Sequence, residues 1–192
     1  MKQWRKTEQA GRSMVEMLGV LAIIGVLSVG GISGYSKAMA KFKLTKAQDQ
    51  MSMLLINIRT AYATAASYDG LTTETAYQYN ILPQDMVQTS SVFVNAFGGE
   101  VEVLTPTNKA RFQIIFRGLG RETCTSLASS DWGTEGLLGV DVNATGTFAA
   151  DTAPAHTPGG TTDATKLPIP LGQAATECAS KDTGNAIRWT YY

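Results

Sequence analysis

Two kinds of hydrophobic pattern follow one another in the first third of the chain. Residues 14–32 (MVEMLGVLAIIGVLSVGGI) are apolar on every face a helix would present, apart from Glu16 and Ser28. At about 1.5 Å per residue, a run of this length approaches the roughly 30 Å of bilayer hydrocarbon. A buried core helix is the alternative, but the periodicity of a helix packed at a domain surface is missing. After a patch of Gly30, Gly31, Ser33 and Gly34 the period changes. Leu44, Ala47, Met51, Leu54, Ile58, Ala61 and Ala65 recur at alternating spacings of three and four, which sets them on one stripe, with Lys43, Lys46, Asn57, Thr60 and Thr64 elsewhere on the surface. The spacing predicts one helix over 13–67, stopped at Asp69-Gly70. Only about three heptads hold and small residues dominate the end, so the stripe is expected to pack under a globular domain and not to zip a coiled coil.

The remaining residues must supply that domain. Residues 70–98 read as a loop with short helical pieces, in which Leu82-Pro83-Gln84-Asp85-Met86 opens a turn of helix. Residues 99–104 (GEVEVL) alternate with period two, Thr105-Pro-Thr-Asn108 is a turn, and 111–116 (RFQIIF) form a second strand. Residues 121–129 fit a short helix that points Cys124 and Leu127 inward, and 137–142 and 186–192 are further strands. Residues 143–172, rich in Ala, Thr, Gly and Pro, read as a long surface loop or mobile insertion. The class is α+β, one domain plus an added element.

Charge adds an asymmetry to this picture. Sixteen basic residues balance sixteen acidic ones, which excludes a protein built to grip nucleic-acid backbones. Up to Lys46, however, Lys2, Arg5, Lys6, Arg12, Lys37, Lys41, Lys43 and Lys46 face only Glu8 and Glu16, a basic start on an acidic body. The basic flank before the apolar run predicts a cytoplasmic N-terminus, and no small-residue cleavage site follows the run. The two cysteines, Cys124 and Cys178, are either reduced core thiols or, in an exported chain, a disulfide. His156 is the only histidine and has no Cys or acidic pair at ligand spacing, so neither a metal nor a catalytic role is assigned to it. No phosphate-cradling glycine motif and no nucleophile with an evident base is found, so no catalysis, cofactor or small-molecule substrate is expected. Asp141-Val-Asn-Ala-Thr145 matches an extended bacterial N-glycosylation pattern at Asn143, with a plain turn as the alternative.

Gly11-Arg-Ser-Met-Val-Glu16 followed by Met17-Leu-Gly-Val-Leu-Ala-Ile-Ile-Gly-Val-Leu27 resembles the start of a type IV pilin precursor. Phe112-Gln-Ile-Ile-Phe-Arg-Gly-Leu-Gly-Arg-Glu-Thr-Cys-Thr-Ser-Leu127, with a second cysteine shortly before the final strand, resembles the type IVb pilins of the toxin-coregulated pilus and conjugative thin pili. The resemblance implies a leader, 1–11, that a prepilin peptidase removes between Gly11 and Arg12, and N-methylation of Arg12. It implies a membrane and filament-core helix over 12–34, an amphipathic helix over 35–69, and a head over 70–192 with an antiparallel sheet and a Cys124–Cys178 disulfide. The partners it implies are further copies of the chain, the peptidase, an inner-membrane assembly platform with its ATPase, and lipid before assembly. The head would be periplasmic before the filament reaches the exterior.

An ionised Glu16 in hydrocarbon costs about 2.5 to 3.5 kcal/mol and calls for a partner. The resemblance implies the α-amine freed on a neighbouring subunit, cationic below a pKa of about 8. Snorkelling, or a pair with Arg12 one turn away, are the alternatives. Gly19, Gly25, Gly30, Gly31 and Gly34 allow close helix approach or local unwinding. Three readings of function are therefore kept: a filament-forming pilin, a minor pilin or secretion pseudopilin, and a signal-anchored exported binding domain or enzyme.

Overall fold

The structure, a computed structural model, describes residues 10–149 and 151–192, with side chains from Met14 onward. They fall into two compact units, residues up to Phe42 and Lys43–Tyr192. Helix α1 (Ala10–Ala61) supplies residues to both. Proline is absent from it, so no residue in its interior lacks the N–H that the hydrogen-bond ladder needs. In the first unit its large apolar side chains are all exposed, from Met14 (70%) to Ile32 (68%).

The second unit is built around a four-stranded antiparallel sheet in the order β3-β4-β6-β5. Its strands are β3 (Val101–Leu104), β4 (Phe112–Leu119), β5 (Leu137–Asn143) and β6 (Asn185–Tyr191). Met51, Leu54 and Ile58 of α1 share the core with Phe112, Ile114, Phe116, Ile187, Trp189 and Tyr191. Aromatic pairs run through it, Phe116 against Trp189 at 5.3 Å and Phe112 against Tyr191 at 5.8 Å. A short helix α3 (Arg121–Ala128) follows β4, and α4 (Leu171–Glu177) precedes β6. Between β4 and β6 the register slips after Phe116. There Gly118 sits at φ 71° with its Cα against Gly99, so a Cβ on either residue would strike the other's backbone.

Three expectations are corrected. The helix predicted to reach Asp69-Gly70 ends at Ala61, because Tyr62 and Tyr68 pack against each other (5.4 Å) and Tyr68 against Phe112 (4.7 Å) with tilted rings, which draws the chain off the helix axis. Ala61 and Ala65 are accordingly exposed, and the half-buried Tyr62 takes over the inward role. The 70–98 segment is more ordered than expected. It holds α2 (Thr73–Gln78), a 3-10 turn at Gln84–Met86, and a small hairpin of β1 (Val87–Thr89) and β2 (Val92–Phe93). Helix α2 is nucleated by a reciprocal cap in which Thr72 and Thr75 each accept from the other's backbone N–H. The insertion expected over 143–172 is a fixed cover. His156 bridges Val140 on the outer edge of β5, and Phe148 lies over Arg188 on the face of the sheet turned away from α1.

Candidate assembly site

The functional candidates lie along α1, and its surroundings change with position. Taking about 100° per residue, the buried stripe is Ala47, Met51, Leu54 and Ile58, and two segments clasp α1 on either side of it. On one flank Gln50 donates to Asp85 (2.8 Å) and accepts from the Ala96 N–H (2.9 Å), while Asn57 donates to the Ile81 carbonyl (2.8 Å) and Lys46 pairs with Asp85 (3.2 Å). On the other, Gln48 donates to Ser130 (2.9 Å) and Arg59 to the Glu135 carbonyl (3.0 Å). Between the flanks, opposite the stripe, Asp49, Met53, Ile56 and Thr60 are exposed.

Toward its N-terminus the helix has no such clothing. It is long and apolar enough to cross a membrane, and the apolar window is entirely unburied within the chain. Glu16 is exposed among Met14, Val15, Met17 and Leu18, a lone carboxylate in an apolar sleeve. The predicted scissile link between Gly11 and Arg12 falls in the first turn of α1, and the Arg12 side chain and residues 1–9 of the leader lie outside the described residues. The five glycines of the run, Gly19 to Gly34, have nothing within 4 Å of where a Cβ would stand, so within one subunit they make no close approach.

The cysteines are paired. Cys124 of α3 and Cys178 at the end of α4 form a disulfide with their Cα atoms 5.9 Å apart, joining two helices 54 positions apart in sequence. Asn143 is engaged in a turn, donating to the Thr147 carbonyl (2.8 Å) and accepting from the Thr145 N–H and hydroxyl (both 2.6 Å). His156, expected in a surface loop, is fully buried, with Nε2 2.9 Å from both carboxylate oxygens of Glu177. Among the described residues no cluster of His, Cys, Asp and Glu could hold a metal ion.

Several fixing residues carried no signal in the sequence. Arg188 is buried on β6 and gives Asp141 two hydrogen bonds, from Nε (3.0 Å) and Nη2 (2.9 Å), and a third to the Ala149 carbonyl. Asp141 also accepts from the Ala155 N–H, so one ion pair ties the start and middle of the insertion to the sheet. At the rim, the Lys109 ammonium on Asp69 and the Thr107 hydroxyl on Asp151 hold those two carboxyls below their ordinary range. Burial, with Tyr79 and Asp69 nearby, raises Tyr62, and burial pushes Tyr191 up to about 12 against the opposing charge of Arg59.

A helix whose large apolar side chains are exposed at one end and which underlies, at the other, an antiparallel sheet with a disulfide between its two flanking helices defines a type IV pilin fold. The structure is similar to that of TcpA, a type IV pilin from Vibrio cholerae El Tor biotype, with 17% identity and a TM-score of 0.52 over 78% of this chain and 99% of that one. It is also similar to the type IV b pilin from Salmonella typhi, with 19% identity and a TM-score of 0.50 over 79% and 98%. No curated protein matches the chain by sequence. The family described as PilS N terminal matches residues 42–191, and the chain belongs to that family. It is a pilin subunit.

Proposed function

We propose that this pilin is processed between Gly11 and Arg12, held in the inner membrane by residues 12–34, and polymerised into a helical surface filament. The observation that carries this reading is the unclothed first part of α1. Its apolar side chains are exposed in the single chain, so water is not their medium, and lipid followed by neighbouring copies of the same helix supplies the burial. Residues 1–11 are the leader, 12–34 the filament core, the amphipathic part of α1 the support of the head, and the head stands on the periplasmic side before extrusion. The partners on this route are a prepilin peptidase, an assembly platform with its ATPase, and other copies of the chain. Glu16 supplies the charge that draws an incoming subunit onto the α-amine of Arg12 of a neighbour, an amine the peptidase methylates. We read Asn143 as a turn residue and not a glycan acceptor, since its amide is occupied by Thr147 and Thr145.

N-terminal sequencing and intact mass of the protein from membranes and from sheared filaments test the proposal. Mature protein should begin Arg-Ser-Met-Val-Glu, and Gly11→Val should remain full length in the membrane. Filaments whose subunits retain residues 1–11 would overturn it.

A further inference from the structure

The stretch of α1 just past the apolar run carries exposed groups that the filament reading does not use. Tyr35, Lys37, Lys41 and Phe42 all face outward, the two aromatics at 66% and 62%. No acidic residue stands between Glu16 and Asp49, so neither lysine has a carboxylate three or four positions away. Among the described residues neither enters an ion pair. A water-facing helix ordinarily answers its lysines with such neighbours. On the reading above this flank is exported, and lysines there run against the usual bias, which gathers them on the cytoplasmic side of a span. Two unanswered lysines in this position call for an anion from outside the chain.

Helix geometry fixes the depth at which that anion must lie. At about 1.5 Å per residue, Tyr35 stands roughly 4.5 Å and Lys37 about 7.5 Å beyond Ile32, the level of a headgroup layer roughly 5 to 7 Å thick. Lys41 follows one turn farther on. Every Cα–Cβ bond of an α-helix tilts toward the N-terminus, here toward the span, so both lysine stems slope back to the bilayer surface. At about 100° per residue Lys37 and Lys41 share one face of the helix and Tyr35 and Phe42 another. An aromatic ring at headgroup level is the usual companion of such an anchor. Carboxylates on the acidic head of another copy are the rival source of negative charge, but nothing holds them at this depth, whereas the span holds the headgroups there. A zwitterionic headgroup brings its own ammonium to its phosphate, so only an anionic one leaves net charge for the lysines. We propose that Lys37 and Lys41 bind anionic phospholipid headgroups, of the phosphatidylglycerol kind, in the leaflet on the head's side of the membrane. The inference rests on the membrane-held stage of the reading above and names the lipid class selected there.

Acetylation of the full-length wild-type protein with an uncharged reagent, read by peptide mass spectrometry, tests this without substitution. It is run in vesicles of phosphatidylcholine alone and of phosphatidylcholine mixed with phosphatidylglycerol. Lys37 and Lys41 should react severalfold more slowly where phosphatidylglycerol is present, and the difference should shrink in high salt. As a second readout, spin-labelled phosphatidylglycerol should be held at the protein in preference to spin-labelled phosphatidylcholine. Lys37→Gln with Lys41→Gln should lose much of that preference, since a lysine near an anionic surface counts for roughly fivefold. Equal reactivity of both lysines in the two kinds of vesicle, or a preference that the double variant keeps in full, overturns the site alone. Protection that is the same in both vesicles and grows with protein density assigns the lysines to another copy's head and overturns it as well. A wild type that floats with neither vesicle after an alkaline wash overturns the membrane-held stage with it. If the double variant does not insert, the wild-type acetylation decides.

Discussion

At the scale of single residues, burial acts on Tyr191 and on Arg188 in opposite senses. Tyr191 ionises near 10 in an unfolded chain and near 12 when folded, because its anion would sit away from water. Above about pH 10 the unfolded state releases its proton first, so stability is intact below that value and falls as pH rises through the window to about 12, by up to ~1.4 kcal/mol per pH unit. Urea denaturation of wild type and Tyr191→Phe at neutral pH and near pH 11 checks this. The variant should be at least as stable at neutral pH, since an unpartnered hydroxyl is removed, and should lose less in alkali. An equal alkaline loss in both proteins would rule Tyr191 out as the group responsible. Arg188 is the reverse case, a permanent charge that is tolerated because Asp141 answers it. Asp141→Asn should cost about 3 kcal/mol or more, and Asp141→Leu with Arg188→Met should recover most of that loss, because the penalty is for an uncompensated buried charge and not for a missing attraction. Chemical denaturation of the single and double variants separates the two.

At the scale of elements, the disulfide is the tie whose removal has the clearest arithmetic. Closing a loop across 54 positions restricts the unfolded chain by about 4 kcal/mol in the chain-entropy account, a large part of an ordinary domain's stability. Cys124→Ser with Cys178→Ser should therefore lower the melting temperature of the head sharply, and two titratable thiols in native wild-type protein would contradict the bridge. Both cysteines were legible as candidates, as were α1, α3 and the strands β3 to β6: the second part of α1 and β3 by the period that one face of packing enforces, β4 to β6 as short apolar runs between turn residues. The misses have physical causes. The hairpin strands β1 and β2 are three and two residues long, too short for any alternation to show. Helix α4 (LGQAATE) lies behind Pro168 and Pro170 in a stretch whose composition reads as loop. Every residue of β6 is buried, because the insertion covers the face that would otherwise have met water. His156 escaped for the same reason: a Thr- and Gly-rich segment can be fixed by backbone bridges and one side-chain hydrogen bond without any hydrophobic periodicity to announce it. Of the candidate site, Glu16 and the unclothed run were readable from charge and hydropathy alone, whereas the residues that clasp α1 from both flanks depend on tertiary contacts that no local pattern encodes.

At the scale of the whole molecule, the division of labour along α1 yields a test of assembly. If Glu16 acts between subunits as proposed, Glu16→Ala should leave cleavage and the folded head intact and abolish filaments, because the lost attraction would act only when a neighbour's N-terminus arrives. Arg12 offers a rival partner from one turn away, but Arg four residues before Glu is the weaker order for a helical pair, worth at most about 0.3 to 0.5 kcal/mol where water reaches it. Arg12→Phe should therefore still assemble. Electron microscopy of sheared filaments beside immunoblots of the membrane pool distinguishes the outcomes: normal piliation in Glu16→Ala removes the intersubunit role, and loss of piliation in a processed, stable Arg12→Phe protein makes Arg12 the needed partner. Both margins of the sheet also bear on assembly. On β3 the Thr73 hydroxyl takes up the Val103 N–H and carbonyl, and on β5 the insertion's His156 does the same for Val140. Strand margins left open would let crowded copies zip together irreversibly. With Val103 and Val140 engaged on the two margins, crowded copies of the chain are turned away from the cross-β route to aggregation.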